Sequence, residues 1–190
     1  MIRRLGNVFV LHSPNTTYAF GVIPSGQLEH LYYGERISTD TEEEALVLAE
    51  KRLSLPGNTV AYSPDHSNLS LEVIRLEMSG SGKGDIREPF IEVTHADGSY
   101  TSDFVFQDAK ITQGKTPFET LPGSYEENNQ VEELTVTMVD KAYDLTVELH
   151  YFVFFQHDVI SRSAKFINMS KETVLLDRMM SAQLDFDCSN

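Results

Sequence analysis

No tryptophan occurs among the 190 residues, and there is a single cysteine, Cys188. A lone thiol excludes an internal disulfide framework and supplies no thiolate cluster for a metal, so a reducing compartment, the cytoplasm, is the expected setting. The absence of tryptophan removes the best flat platform for stacking on a sugar ring, for which eight tyrosines are weaker substitutes. Long apolar runs are missing too. Nothing approaches the roughly 20 residues of a membrane-spanning helix, and the N-terminal stretch has two arginines but neither a sustained apolar core nor a small-residue cleavage site. Positive charge is scarce: 15 Lys and Arg against 29 Asp and Glu leave a net charge of −14. Such a chain repels nucleic acid and anionic membranes, so its expected partners are neutral small molecules or proteins.

What the chain does contain is an ordinary globular mixture, 41% hydrophobic and 23% charged, enough to bury a core as one domain over residues 1–190. Period-two alternation of β-branched and aromatic residues dominates, broken by Gly, Pro, Asn and Asp. The N-terminal stretch through His12 reads as strand, and further strands are predicted over 17–23, 27–33, 90–94, 101–111, 133–140, 145–156, 159–168 and 174–185. Turn residues such as Pro24-Ser25-Gly26 and Ala96-Asp97-Gly98-Ser99 lie where antiparallel hairpins need them. The run from Leu145 begins with clean alternation and ends as the block Tyr151-Phe152-Val153-Phe154-Phe155. That block requires cover on both faces, from a second sheet or another domain. The fold class is therefore mainly β, a large antiparallel β-sandwich. The one exception is 41–52, at most a short helix, where helix formers follow Thr41 as a capping residue and Glu42-Glu43-Glu44 face the positive end of the helix dipole; the same stretch equally suits a loop with one or two helical turns.

The stretch Gly80-Ser81-Gly82-Lys83-Gly84-Asp85-Ile86-Arg87-Glu88-Pro89 is richer than a turn requires. Glycines at alternate positions allow sharp turning and close approach, while Asp85 and Arg87 bring an acceptor and a five-donor fork to one rim. It suits a polar ligand or a partner domain, or else Asp85 and Arg87 pair with each other or with backbone. Elsewhere the polar residues read as structural. His12, His30, His95, His150 and His157 show no metal-ligand spacing, and Ser161, Ser163 and Ser181 lie in no Gly-x-Ser-x-Gly turn. Arg162 is expected to face solvent on a strand and pair with Asp158 or an adjacent strand carboxylate. An exposed pair of that kind contributes about 0 to 1 kcal/mol.

Six motifs in register carry a resemblance. They are Leu28-Glu29-His30-Leu31-Tyr32-Tyr33-Gly34, the Gly82 to Pro89 stretch, Asp97-Gly98-Ser99, Gly114-Lys115, Leu121-Pro122-Gly123-Ser124-Tyr125 and Asp158-Val159-Ile160-Ser161-Arg162-Ser163. Together they resemble the N-terminal region of the bacterial α-galactosidases of glycoside hydrolase family 36. The resemblance implies a supersandwich of the galactose-mutarotase type, followed in the parent by a (β/α)8 barrel and a small β domain. It implies hydrolysis of terminal α-galactosides such as melibiose and raffinose with retention, by two aspartates of the barrel, one in a Lys-Trp-Asp motif. A chain without tryptophan lacks that motif, so no catalytic residue, cofactor or metal is assigned to it. The implied partners are the chain's own downstream barrel, further copies in a tetramer, and oligosaccharide through the parent. The implied candidates for shaping the pocket or an interface are Gly84, Asp85 and Arg87. Asp65 and His66 join them, although Thr59-Val60-Ala61-Tyr62-Ser63-Pro64 lacks the acid that the family carries before its aromatic-Ser-Pro sequence. An autonomous carbohydrate-binding sandwich is the alternative, and a mutarotase-like enzyme a weaker third, since no His and carboxylate constellation can be paired by spacing.

Overall fold

A computed structural model describes residues 1–50, 60–118, 122–124 and 130–185. The first sheet is an antiparallel meander of β1 (Ile2–Leu5), β2 (Val8–His12), β3 (Thr16–Val22) and β4 (Leu28–Glu35), paired in sequence order. After β5 (Ile91–Thr94) comes a second meander of β6 (Val105–Gln113), β7 (Val131–Asp140), β8 (Leu145–Phe154) and β9 (Val159–Asn168). The last strand, β10 (Leu175–Met179), returns to pair with β5 as a small third sheet. The sheets are antiparallel and do not close into a barrel, the arrangement of a β-sandwich. No helix among the described residues is long and apolar enough to cross a membrane.

Alternation places the core. Phe9, Leu11, Tyr18, Phe20 and Leu28 of the first sheet share one buried cluster with Leu134, Val136, Met138, Leu149, Tyr151 and Val153 of the second. Phe20 stacks on Tyr151 with ring centroids 4.8 Å apart. Full burial of a large apolar side chain stabilises by about 1.5 to 3 kcal/mol, so this seam is the main source of cohesion. All five residues of β2 are buried. Phe9 and Leu11 point into the seam, whereas Val8 and Val10 pack with Ala19 beneath Ala45 and Leu48 of α1 (Glu42–Glu50). Thr41 caps that helix as the sequence predicts: its Oγ1 accepts the Glu44 N–H at 3.2 Å, and Glu44 Oε2 accepts the Thr41 N–H at 3.2 Å. Residues 51–52 of the predicted helix lie outside the described residues.

Several boundaries differ from the sequence reading, each for a local reason. The N-terminal strand is a hairpin, because Gly6 at φ +60° turns the chain between β1 and β2. Residues 101–104 leave the path of β6, drawn aside where the Ser102 N–H meets Ser81 O and the Asp103 N–H meets Asp140 Oδ2. β8 stops at Phe154, where a 3-10 turn over Phe155–His157 and Asp158 at φ +54° reverse the chain. β10 stops at Met179, and 180–185 run on outside any strand. The aromatic block of β8 is covered on both faces, with Phe155 alone exposed. Its second cover is a strap of the same chain: Phe118 packs on Phe152 and Phe154, and Lys115 Nζ sits 4.7 Å above the Phe152 ring.

Candidate functional site

The Gly-rich loop begins at Gly80, which bridges Ile91 of β5, and returns to β5 through Phe90. Gly82 and Gly84 adopt φ of +88° and +91°, a region that L side chains avoid. A Cβ on Gly82 would lie 2.9 Å from Thr101 Cα, and one on Gly84 would lie 2.6 Å from Val60 Cγ1. Both glycines are therefore required by backbone angle and by close approach. Arg87 grips Asp85 as a fork, with Nε on Oδ1 and Nη2 on Oδ2, both at 2.8 Å. Its Nη1 donates to Asp185 Oδ2 at 2.6 Å, and Nη2 reaches the carbonyls of Leu71 and Ile74 at 3.2 and 2.6 Å. The Asp85 carboxylate is 1% exposed and the Arg87 side chain 29%. The hydrogen bonds to Asp85 outweigh partial burial and raise the guanidinium above its ordinary value. Between the two, Ile86 projects outward, 84% exposed.

Asp65 and His66 sit on the turn that flanks this loop. The His66 N–H donates to Ser63 O at 3.1 Å, leaving Asp65 exposed and His66 half-buried. The turn meets the loop through its neighbours: Val60 lies against Gly84, and Lys83 Nζ stands 4.5 Å over the Tyr62 ring and 3.2 Å from Asp103 Oδ2. Tyr62 donates to that same carboxylate at 2.8 Å. Burial, with Asp103 beside it and a hydrogen bond with Gln27 opposing, pushes the Tyr62 hydroxyl up to about 12, so it remains a donor at neutral pH. The turn and the loop are thus one surface, although no hydrogen bond or ion pair joins Asp65 or His66 to Asp85 or Arg87 among the described residues. Thr59, Leu121 and Tyr125 of the sequence motifs, and Cys188, lie outside the described residues.

The largest departure from the sequence reading is Arg162. It does not face solvent, and Asp158 is not its partner. The Asp158 carboxylate instead receives the Ser13 hydroxyl, the Asn15 N–H and the Asn15 side-chain amide. Arg162 points inward from β9, its side chain 8% exposed, and its Nη2 lies 3.1 Å from Oε2 of Glu77, which is wholly buried. Tyr18 and Tyr151 donate their hydroxyls to the Glu77 carboxylate at 2.6 and 2.9 Å, and His30 Nδ1 lies 2.8 Å from it. The guanidinium carbon sits 4.7 Å over the Tyr151 ring. Burial pushes the Glu77 carboxyl up, but Arg162 and the hydrogen bonds of His30 and Tyr18 overcome it and hold the group below its ordinary value. Burial likewise raises both tyrosine hydroxyls. The Glu77 carboxylate is thus sealed from solvent and met on all sides by partners from within the fold.

The remaining histidines have partners inside the fold or lie at its surface. His12 bonds Thr17, His95 bonds the Thr101 carbonyl and stacks on Tyr143 at 3.5 Å, His150 bonds Glu133, and His157 is exposed on its turn. Among the described residues no group of three His, Cys, Asp or Glu side chains is placed to hold a metal ion.

Residues 26–190 match the family described as the glycosyl hydrolase family 36 N-terminal domain. The bifunctional α-galactosidase/sucrose kinase AgaSK of Mediterraneibacter gnavus is 30% identical, a match covering 94% of this chain and 19% of that protein. The α-galactosidase structure from Lactobacillus brevis superposes with a TM-score of 0.88 at 28% identity, covering 97% of this chain and 25% of that one. AgaB from Geobacillus stearothermophilus gives 0.88 at 26% identity, over 98% of this chain and 25% of that one. The chain thus spans a quarter or less of the length of these relatives. Because the family match covers residues 26–190, most of the chain, the chain belongs to the family of glycosyl hydrolase family 36 N-terminal domains.

Proposed function

We propose that this chain is the noncatalytic N-terminal domain of an α-galactosidase, and that its Gly-rich face docks on the rest of the parent, supporting oligomer assembly and the shape of the active site. The parent hydrolyses terminal α-galactosides of the melibiose and raffinose type with retention, as a cytoplasmic tetramer. Variants of a relative, AgaA of Geobacillus stearothermophilus, are known in complex with raffinose and with stachyose. The observation that carries the docking role is a set of exposed apolar side chains beside the Arg87 clamp: Ile86 between Asp85 and Arg87, Val60 against Gly84, Val73 next to the Ile74 carbonyl that Arg87 holds, and Leu184 next to Asp185. Exposed isoleucine on a loop pinned in one shape, with exposed valines on the turns beside it, suits contact with another protein surface; these side chains offer a sugar neither a flat face nor a hydrogen bond.

The noncatalytic reading is supported by the state of the carboxylates. Retention requires two carboxyl groups about 5 to 5.5 Å apart across an accessible bond. Glu77, Glu133 and Asp85 are instead buried and committed to internal donors. Purified chain is expected to leave a chromogenic α-galactoside unhydrolysed. Turnover that disappears when one of its own carboxylates is replaced refutes this reading. Tight, saturable calorimetric binding of galactose or melibiose to the chain alone points to an autonomous carbohydrate-binding module instead.

A further inference from the structure

The Gly-rich loop is gripped by the chain segment that follows β10. Ser79, buried at the loop's first foot, donates both its N–H and its hydroxyl to Gln183 Oε1, at 3.1 and 2.8 Å. The same hydroxyl accepts the N–H of Phe90, at the loop's second foot, at 3.0 Å. Two residues beyond Gln183, Asp185 takes Arg87 Nη1 at 2.6 Å and so holds the loop between its feet. Gln183 is fixed from inside: Arg162 Nη1 donates to its carbonyl oxygen at 3.3 Å, while Nη2 of the same guanidinium is held by Glu77. We infer that Gln183 and Asp185 form a clasp that sets the shape of the Gly-rich loop, with Arg162 the positioning residue that holds this clasp on the sandwich.

The chemistry at position 183 is specific. A backbone N–H only donates, so the Gln183 atom facing Ser79 is the amide oxygen, and the NH2 group has no part in this contact. The clasp therefore needs an acceptor at the end of a side chain of that length. Glutamate supplies one, whereas methionine matches the length and offers at best a feeble thioether acceptor. The fork of Arg162 is equally particular, since a single lysine ammonium can balance Glu77 but cannot reach Tyr18 and Gln183 with a second nitrogen. A loop held in one shape loses less freedom when a neighbour docks on it, so the clasp favours docking; that consequence rests on the function proposed above, while the clasp itself does not.

Amide hydrogen exchange on the 190-residue chain tests this, with Ser79, Arg87 and Phe90 as reporters and the amides of β8 as the reference. In Gln183→Met, exchange at Ser79 and Phe90 is expected to quicken by roughly tenfold or more while β8 is unchanged. Gln183→Glu is expected to restore near-native rates, and Arg162→Lys to quicken both Ser79 and Arg87. Native rates in Gln183→Met, or equal rates in the Met and Glu variants, overturn the clasp. Equal acceleration in β8 overturns it as well, by revealing a general loss of stability. If exchange behaves as expected while Arg87→Ala leaves the kinetics and assembly of the full-length parent untouched, the clasp stands and the proposed docking role of the loop falls.

Discussion

Arg87 and Arg162 each meet a carboxylate, at 2.8 and 3.1 Å, yet the two regions they serve behave as opposites. Arg87 keeps nearly a third of its side chain in water while it grips the buried Asp85 carboxylate, so its own charge remains partly hydrated. Arg162 has given up its water to lie between the sheets, where Tyr18, Tyr151 and the Gln183 carbonyl replace the lost hydration. Ion-pair distance alone therefore says little about what a pair holds together. The surroundings decide it: a rim pair shapes one loop, and a buried pair conditions the union of the two sheets.

The sharpest way to break this comparison is to delete each cation. Arg162→Ala leaves Glu77 ionised or forces it to take up a proton in the core, and removing one member of a buried pair costs about 3 to 5 kcal/mol. Urea unfolding of the variant chain is expected to show that loss, and a change below about 1 kcal/mol would refute the contrast. Arg87→Ala is expected to cost less, about 1 to 2 kcal/mol after allowance for its partial exposure, with the fold retained. In the full-length parent the same change is expected to lower kcat/KM or shift the assembly equilibrium seen in sedimentation, out of proportion to its effect on the isolated chain.

Acid sharpens the contrast further. Glu77 and Glu133 both hold their carboxyls below the ordinary 4.5, Glu133 because hydrogen bonds from Thr116 and His150 outweigh the upward push of burial. A depressed folded value means that the stabilisation is complete above the unfolded value and is lost as pH falls through the folded one. Stability is therefore expected to hold near neutrality and to decline from about pH 4.5 downward. Glu133→Gln is expected to lower the unfolding free energy from urea titration at pH 7 by about 1 kcal/mol, and the difference from the unchanged chain is expected to shrink as the pH falls below the ordinary carboxylate value. An equal loss at neutral and acid pH would show that the carboxylate charge is irrelevant. The smallest effect is expected at Asp65→Ala, on the exposed turn, where stability should stay within about 0.5 kcal/mol by thermal unfolding.

The sequence made much of this architecture legible: side-chain alternation located most of the strands and the two-sided burial around Tyr151 and Phe152, and turn residues implied consecutive antiparallel pairing, although the β1 and β2 hairpin was read as a single stretch of strand. It also pointed to the Gly-rich loop, because positive φ at Gly82 and Gly84 demands residues that stand out in a sequence. The inward face of β9 was readable as well: Ile160, Ala164 and Phe166 are apolar at alternate positions, and Arg162 falls on the same side by register. Charge suggested exposure there, and register decided otherwise. Glu77 gave no comparable signal, since it lies between Leu76 and Met78 outside any named strand. The clasp was out of reach for a different reason, because it joins Arg87 to Asp185, and only the return of β10 to β5 brings them together.

That return has a kinetic consequence. Within each meander every strand pairs with its neighbour in sequence, so hairpins can close over short stretches and form early. The pairing of β5 with β10 joins Thr94 to Leu175 across the whole second meander, and the chain entropy of closing so long a loop must be met before any contact there rewards it. Gln183 and Asp185 arrive only behind β10. A nascent chain that has emerged through β9 is therefore expected to hold both meanders while its Gly-rich loop is still without its final shape, which makes that loop an expected late step in the maturation of the domain.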